Sequence, residues 1–159
     1  MKRVNVNTNE FGLVVKNNAV VRVLTAGKYW LVFGEKLEVF DMSKPFQTTF
    51  DIDVLLQVPG FSDQVELVEV GDTEICLVFV NNNFKQILAA GRHVFWKGLQ
   101  NYRFQKEDIS NIVIADSVNK QLLEKQTLAF YVRQQKVEPS EKALLFIDGV
   151  FDRILESGV

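Results

Sequence analysis

EFGLVVKNNAVVRVLTAG, residues 10–27, is the stretch whose reading decides the fold, because the chain contains it more than once. EICLVFVNNNFKQILAAG at residues 74–91 and EKALLFIDGVFDRILESG at residues 141–158 align with it without a gap. Glu10, Glu74 and Glu141 coincide, as do Leu13, Leu77 and Leu144, then Leu24, Leu88 and Leu155, and finally the closing glycines Gly27, Gly91 and Gly158. The first two copies are identical at eight of eighteen positions, where unrelated sequence gives about one, so the repeat organises the chain.

The correspondence extends outward from this stretch. Val6, Val70 and Val137 each precede their glutamate by four positions, and a second glycine, Gly34 or Gly98, follows the first by seven. Phe40 and Phe104 then fall at equal distances, and Leu55-Leu56 and Leu122-Leu123 stand at equal distances before the next copy. Each unit is about 65 residues long. The expected division is therefore residues 1–66, residues 67–133 and a third unit, 134–159, that holds only its hairpin. A hairpin without its later strands leaves unpaired backbone edges, so the sequence reads as part of a longer protein, the alternative being a final hairpin that completes the preceding unit.

Turn chemistry sets the local structure. Asn17-Asn18, Asn81-Asn82 and Asp148-Gly149 occupy one position between two apolar runs, and these residue types tolerate the positive φ of a tight hairpin. In the first strand of each hairpin Leu13 and Val15, or their counterparts, mark a core face. Val14, Val78 and Leu145 make the other face apolar as well, which predicts a strand covered on both sides. Aromatic-rich runs follow at residues 28–33 and 92–96, then a further strand at residues 37–40 or 102–104. Asp51 or Asp53 is placed to cap a short helix before Pro59-Gly60, and Asp116 or Ser117 to cap its counterpart. The expected fold is mainly β, a β-rich α+β arrangement: a tandem repeat of small antiparallel units with one short helix between units.

Composition narrows the function. Across 159 residues the formal net charge is −2, which disfavours nucleic acid, since phosphate binding needs clustered Lys and Arg. The first thirty residues are nevertheless basic, with Lys2, Arg3, Lys16, Arg22 and Lys28 against Glu10, while the stretch from Glu35 to Glu74 is strongly acidic; a solvated face is the plain reading of that asymmetry. A single cysteine, Cys76, and the absence of an apolar leader after Met-Lys-Arg point to a cytoplasmic setting. No run approaches the ~20 apolar residues of a membrane helix.

No residue set has the pattern of an active site. His93 is the only histidine and stands where the first copy has Tyr29, so a packing role is expected of it. Cys76 replaces Gly12 and Ala143 and reads as a small buried apolar side chain. One Cys and one His do not make a zinc site, and neither a nucleophile elbow nor a phosphate loop is present. The three repeated glutamates could act as acid and base if they shared a cleft, but each follows a turn at the start of a strand, and a structural role there is expected. The chain is read as non-enzymatic, without cofactor or metal.

The motif Val-x-x-x-Glu-x-x-Leu-Val, an Asn or Asp-Gly turn, then Leu-x-x-Gly-x-Tyr/His and an aromatic segment resembles the opening of a stomatin/prohibitin/flotillin (SPFH) domain. The whole chain resembles the N-terminal extension of bacterial slipins, stomatin-like proteins that repeat this motif ahead of the SPFH domain. The resemblance covers residues 4–40, 68–104 and 137–158, and the aromatics Tyr29, Trp30, Phe95 and Trp96 sharpen it. The SPFH body, a coiled coil and a membrane-anchoring hairpin are absent from these 159 residues. The resemblance implies a non-catalytic scaffold module of a protein that self-associates at the cytoplasmic face of a membrane and organises partners such as membrane proteases. The alternative is an independent ligand-binding or regulatory β-module that uses Trp30, Phe95, Trp96 and Tyr102 for recognition.

Overall fold

The computed structural model describes residues 1–111, 113–114 and 117–158. Their contacts form two compact units, Met1–Asp108 and Ile109–Val159. The first two repeats thus share one unit, and the third lies in the other.

The first repeat folds as five strands: β1 (Lys2–Val6), β2 (Glu10–Lys16), β3 (Ala19–Leu24), β4 (Gly27–Leu31) and β5 (Glu35–Asp41). β2 is the centre of a three-stranded antiparallel sheet in the order β3-β2-β5, while β1 and β4 pair as a separate antiparallel ladder from Lys2↔Leu31 to Val6↔Gly27. Asn17 and Asn18 turn the β2–β3 hairpin with φ of 52° and 61°, the paired positive φ values that match the twist of a two-residue hairpin.

Two short helices follow, α1 (Ile52–Leu56) and α2 (Phe61–Gln64). The Asp51 carboxylate accepts from the Asp53 amide at 2.7 Å and caps α1, satisfying an N–H that the first turn leaves without an intrahelical partner. The connection therefore holds a pair of helices where one was expected.

The second repeat repeats the plan: β6 (Val65–Val70), β7 (Glu74–Val80), β8 (Asn83–Leu88), β9 (Gly91–Trp96) and β10 (Tyr102–Asp108), with β6–β9 as the ladder and β8-β7-β10 as the sheet. Both hairpins carry a bulge at one place, so that Val21 in β3 and Lys85 in β8 are the extra residues. The fifth strands correct the alignment of Phe40 with Phe104. Glu10 pairs with Asp41 and Val14 with Leu37, whereas Glu74 pairs with Asp108 and Val78 with Phe104. Phe104 is thus the counterpart of Leu37, and Phe40 that of Glu107. Three extra residues follow Gly98, and only the strand register reveals them.

The core explains why β2 is apolar on both faces. One face contributes Phe11 and Leu13 to a cluster with Leu55, Val58, Phe61, Val65 and Trp96. The other sets Val14 with Val6, Leu24 and Leu31 beneath the β1–β4 ladder. Trp96 packs its ring 5.3 Å from Phe11 and 5.0 Å, edge-on, from Phe46, and its Nε1 donates to the Lys44 carbonyl at 3.0 Å. A residue of the second repeat thereby completes the core of the first, and burial of a side chain of this size is worth roughly 1.5–3 kcal/mol. The second repeat has the counterpart cluster beneath its own ladder, with Val68, Val70, Cys76, Val78 and Leu88.

In the second unit α3 (Lys120–Leu123) and α4 (Gln126–Ala129) precede a hairpin of β11 (Ala143–Ile147) and β12 (Val150–Leu155). Asn119 caps α3 by accepting from the Gln121 amide. Of the caps expected there, Ser117 does not serve, and Asp116 lies outside the described residues. The third hairpin has the same turn, at Asp148-Gly149, and the same bulge, with Asp152 as the extra residue. Val137 and Gly158 form a single antiparallel bridge, at the place where Val6↔Gly27 and Val70↔Gly91 begin the ladders of the complete repeats.

Candidate functional site

The repeated glutamates each close a turn. The amides of Glu10, Glu74 and Glu141 donate to the carbonyls of Asn7, Gly71 and Glu138 at 3.0, 3.1 and 2.9 Å. In return each carboxylate accepts from the amide of that same residue, at 2.9, 3.1 and 3.4 Å. The residue three positions back thus has both backbone groups engaged, which fixes how the chain enters the first hairpin strand. Glu35 does the same with Val32: its amide donates to the Val32 carbonyl at 3.1 Å and its carboxylate accepts from the Val32 amide at 2.9 Å. This fourth turn went unread in the sequence, although a glutamate directly after Gly34 is the signal that finds it.

The other repeated positions fall into two environments. Leu13 is 0% and Leu77 1% exposed, and Leu24 and Leu88 are buried. Leu144, by contrast, is 59% exposed, and Leu155 is half-buried. Gly27, Gly91 and Gly158 have φ of 157°, 134° and 148°, a backbone that L side chains rarely adopt. At Gly27 an added Cβ would also lie 3.1–3.2 Å from the Tyr29 ring.

His93 places Nε2 2.9 Å from the Ala89 carbonyl, to which it donates. Cys76 is fully buried and its thiol pKa is raised, chiefly by loss of solvent, the opposite of what an attacking thiolate needs. At the matching Gly12 a Cβ would stand 2.8 Å from Leu37 Cδ1, so the two repeats fill one point of the core from opposite strands. Among the described residues no three of His, Cys, Asp and Glu gather as a metal site, and no buried side-chain N or O lacks a hydrogen-bond partner.

A shallow depression of about 280 Å³ lies between Phe40, Lys44, Pro45 and Trp96. Its one carboxylate, Asp41, accepts from the Ser43 hydroxyl at 2.6 Å and amide at 2.9 Å, so it already serves the adjoining turn. Of the aromatics expected as a recognition surface, Trp96 is only 4% exposed, while Phe95 and Tyr102 pack together at 5.1 Å against the second repeat's cluster. Trp30 alone is presented, 59% exposed, beside a 95% exposed Phe33 that the sequence did not single out.

Among the described residues no helix is long and apolar enough to cross a membrane. Compared with family models, with curated proteins and with solved structures, the chain matches none.

Proposed function

We propose that the chain is a non-catalytic scaffold module that self-associates by strand addition, within a protein that organises complexes at the cytoplasmic face of a membrane. The resemblance to slipin N-terminal repeats motivates the membrane setting and membrane proteases as the class of partner. One observation carries the assembly role. In the complete repeats β5 or β10 runs along the edge of the first hairpin strand, whereas β11 and β12 form a two-stranded sheet with no third strand among the described residues. Its Leu144, Phe146, Phe151 and Ile154 are exposed. An unpaired edge beside exposed apolar side chains is a template for another strand.

Sedimentation of the chain over a range of concentrations tests this. The expected result is concentration-dependent association that Leu144→Lys with Phe146→Lys abolishes, since edge lysines block strand pairing. A chain that stays monomeric at every concentration would overturn the assembly role.

A further inference from the structure

We infer that the β4–β5 turn is a docking finger for an anionic lipid surface. This deepens the membrane placement proposed above and rests on that reading.

The turn carries its apolar side chains outward. Phe33 is almost fully exposed, and Trp30 and Val32 are exposed beside it. The turn is held rigidly. Arg22 Nη2 donates to the Trp30 carbonyl and to Glu35 Oε2, both at 3.0 Å, and Glu35 closes the turn onto Val32. Exposure here is a fixed display of apolar surface, which a soluble fold does not require. The second repeat shows as much: Val32 and Phe33 align with Trp96 and Lys97, and there the tryptophan is buried while the lysine donates to the Ser62 carbonyl at 3.0 Å. The corresponding ladder strand thus runs into a charged residue where the first repeat places a phenylalanine, and the turn that follows it is three residues longer.

Cations surround the finger. Strand pairing sets Lys2 opposite Leu31 and Arg3 opposite Trp30. It sets Lys16 opposite Glu35 and Lys36 opposite Val15. Lys16 Cε lies 3.8 Å from where a Cβ on Gly34 would stand. Lys2, Arg3, Lys16, Lys28 and Lys36 are all exposed. Both carboxylates within residues 1–36 are engaged, Glu10 by Asn7 and Glu35 by Val32 and Arg22. The next one, Glu38, pairs opposite Leu13, three residues and about 10 Å along the strand from Glu35. An apolar tip with an interfacial tryptophan and a basic collar matches the layered chemistry of a bilayer surface: acyl boundary, headgroup, anionic charge. It also gives the basic first thirty residues a role in a chain whose net charge is −2.

Co-sedimentation of the full chain with vesicles tests the inference, using an equimolar mixture of phosphatidylglycerol and phosphatidylcholine beside phosphatidylcholine alone. Binding is expected on the anionic vesicles, weakening as salt is added. Phe33→Ser, and separately Lys16→Gln with Lys36→Gln, are each expected to reduce partitioning by about tenfold or more without changing the thermal melt. Trp30 emission should shift to the blue on binding. Trp30→Phe should remove that shift while the buried Trp96 stays silent. Failure to bind the anionic vesicles, or binding that Phe33→Ser leaves intact, would overturn the docking finger. Sedimentation without lipid reads the assembly role separately, so either can fail alone.

Discussion

The Asn7 amide donates to the Glu10 carboxylate at 2.9 Å while the Glu10 amide donates to the Asn7 carbonyl at 3.0 Å, so two residues three apart satisfy each other's backbone. The Asn7 side-chain amide donates to the same carboxylate oxygen at 2.9 Å. The paired backbone bonds, without the side-chain amide, recur at Glu74 and Glu141 and account for a glutamate at the start of all three hairpins without any shared chemistry between them.

Glu10→Ala should therefore lower stability by about 1 kcal/mol, the usual net worth of a surface hydrogen-bond pair. Glu10→Gln, which keeps an acceptor oxygen, should cost less. Urea unfolding monitored by circular dichroism measures both, and equal losses would mean that the carboxylate's acceptor role is unimportant.

Leucines at one repeat position should differ sharply in cost. Leu13→Ala and Leu77→Ala empty fully buried sites and should each destabilise by about 2–5 kcal/mol. Leu144→Ala acts on an exposed side chain and should stay within about 0.5 kcal/mol in the monomer. Comparable losses at all three would show that Leu144 is covered in solution.

Cys76 should resist thiol reagents in the native chain, because burial both shields the sulfur and raises its pKa. Reaction with a chromogenic disulfide should be slow in buffer and rapid in denaturant. His93→Tyr, which installs the residue of the first repeat, should leave the melting temperature nearly unchanged. A fast native reaction at Cys76, or a metal bound at His93, would contradict the structural roles given to these residues.

Acid should weaken the β4–β5 turn and the turn after β5. The Glu35 carboxyl is held below its ordinary value of 4.5, mainly by the Val32 amide and also by Arg22. Asp41 is held below 3.8, mainly by the Ser43 hydroxyl and then its amide. A carboxyl with a depressed folded pKa binds its proton more readily in the unfolded chain. Its stabilisation is complete above the ordinary value and is lost as pH falls through the folded one. Melting temperature should thus decline below about pH 4.5, and less steeply in Glu35→Gln with Asp41→Asn. A melting temperature that rises on acidification would contradict this.

The sequence by itself determined the hairpins, their turns and the repeat. Asn17-Asn18 and Asp148-Gly149 impose their geometry on two residues, and each glutamate acts across three, so the information is local. It also placed Cys76 among the small buried side chains through its counterparts in other copies. Only the tertiary structure decided what covers each strand. Trp96 reaches Phe11 from 85 residues away, the three residues inserted after Gly98 appear only through the pairing of Phe104 with Val78, and Leu144 carries the same letter as Leu13 yet stands exposed. Whether an apolar side chain is core or surface depends on which distant segment arrives to cover it, and Phe33, apolar and covered by nothing, could be recognised as surface only once the strands around it were in place.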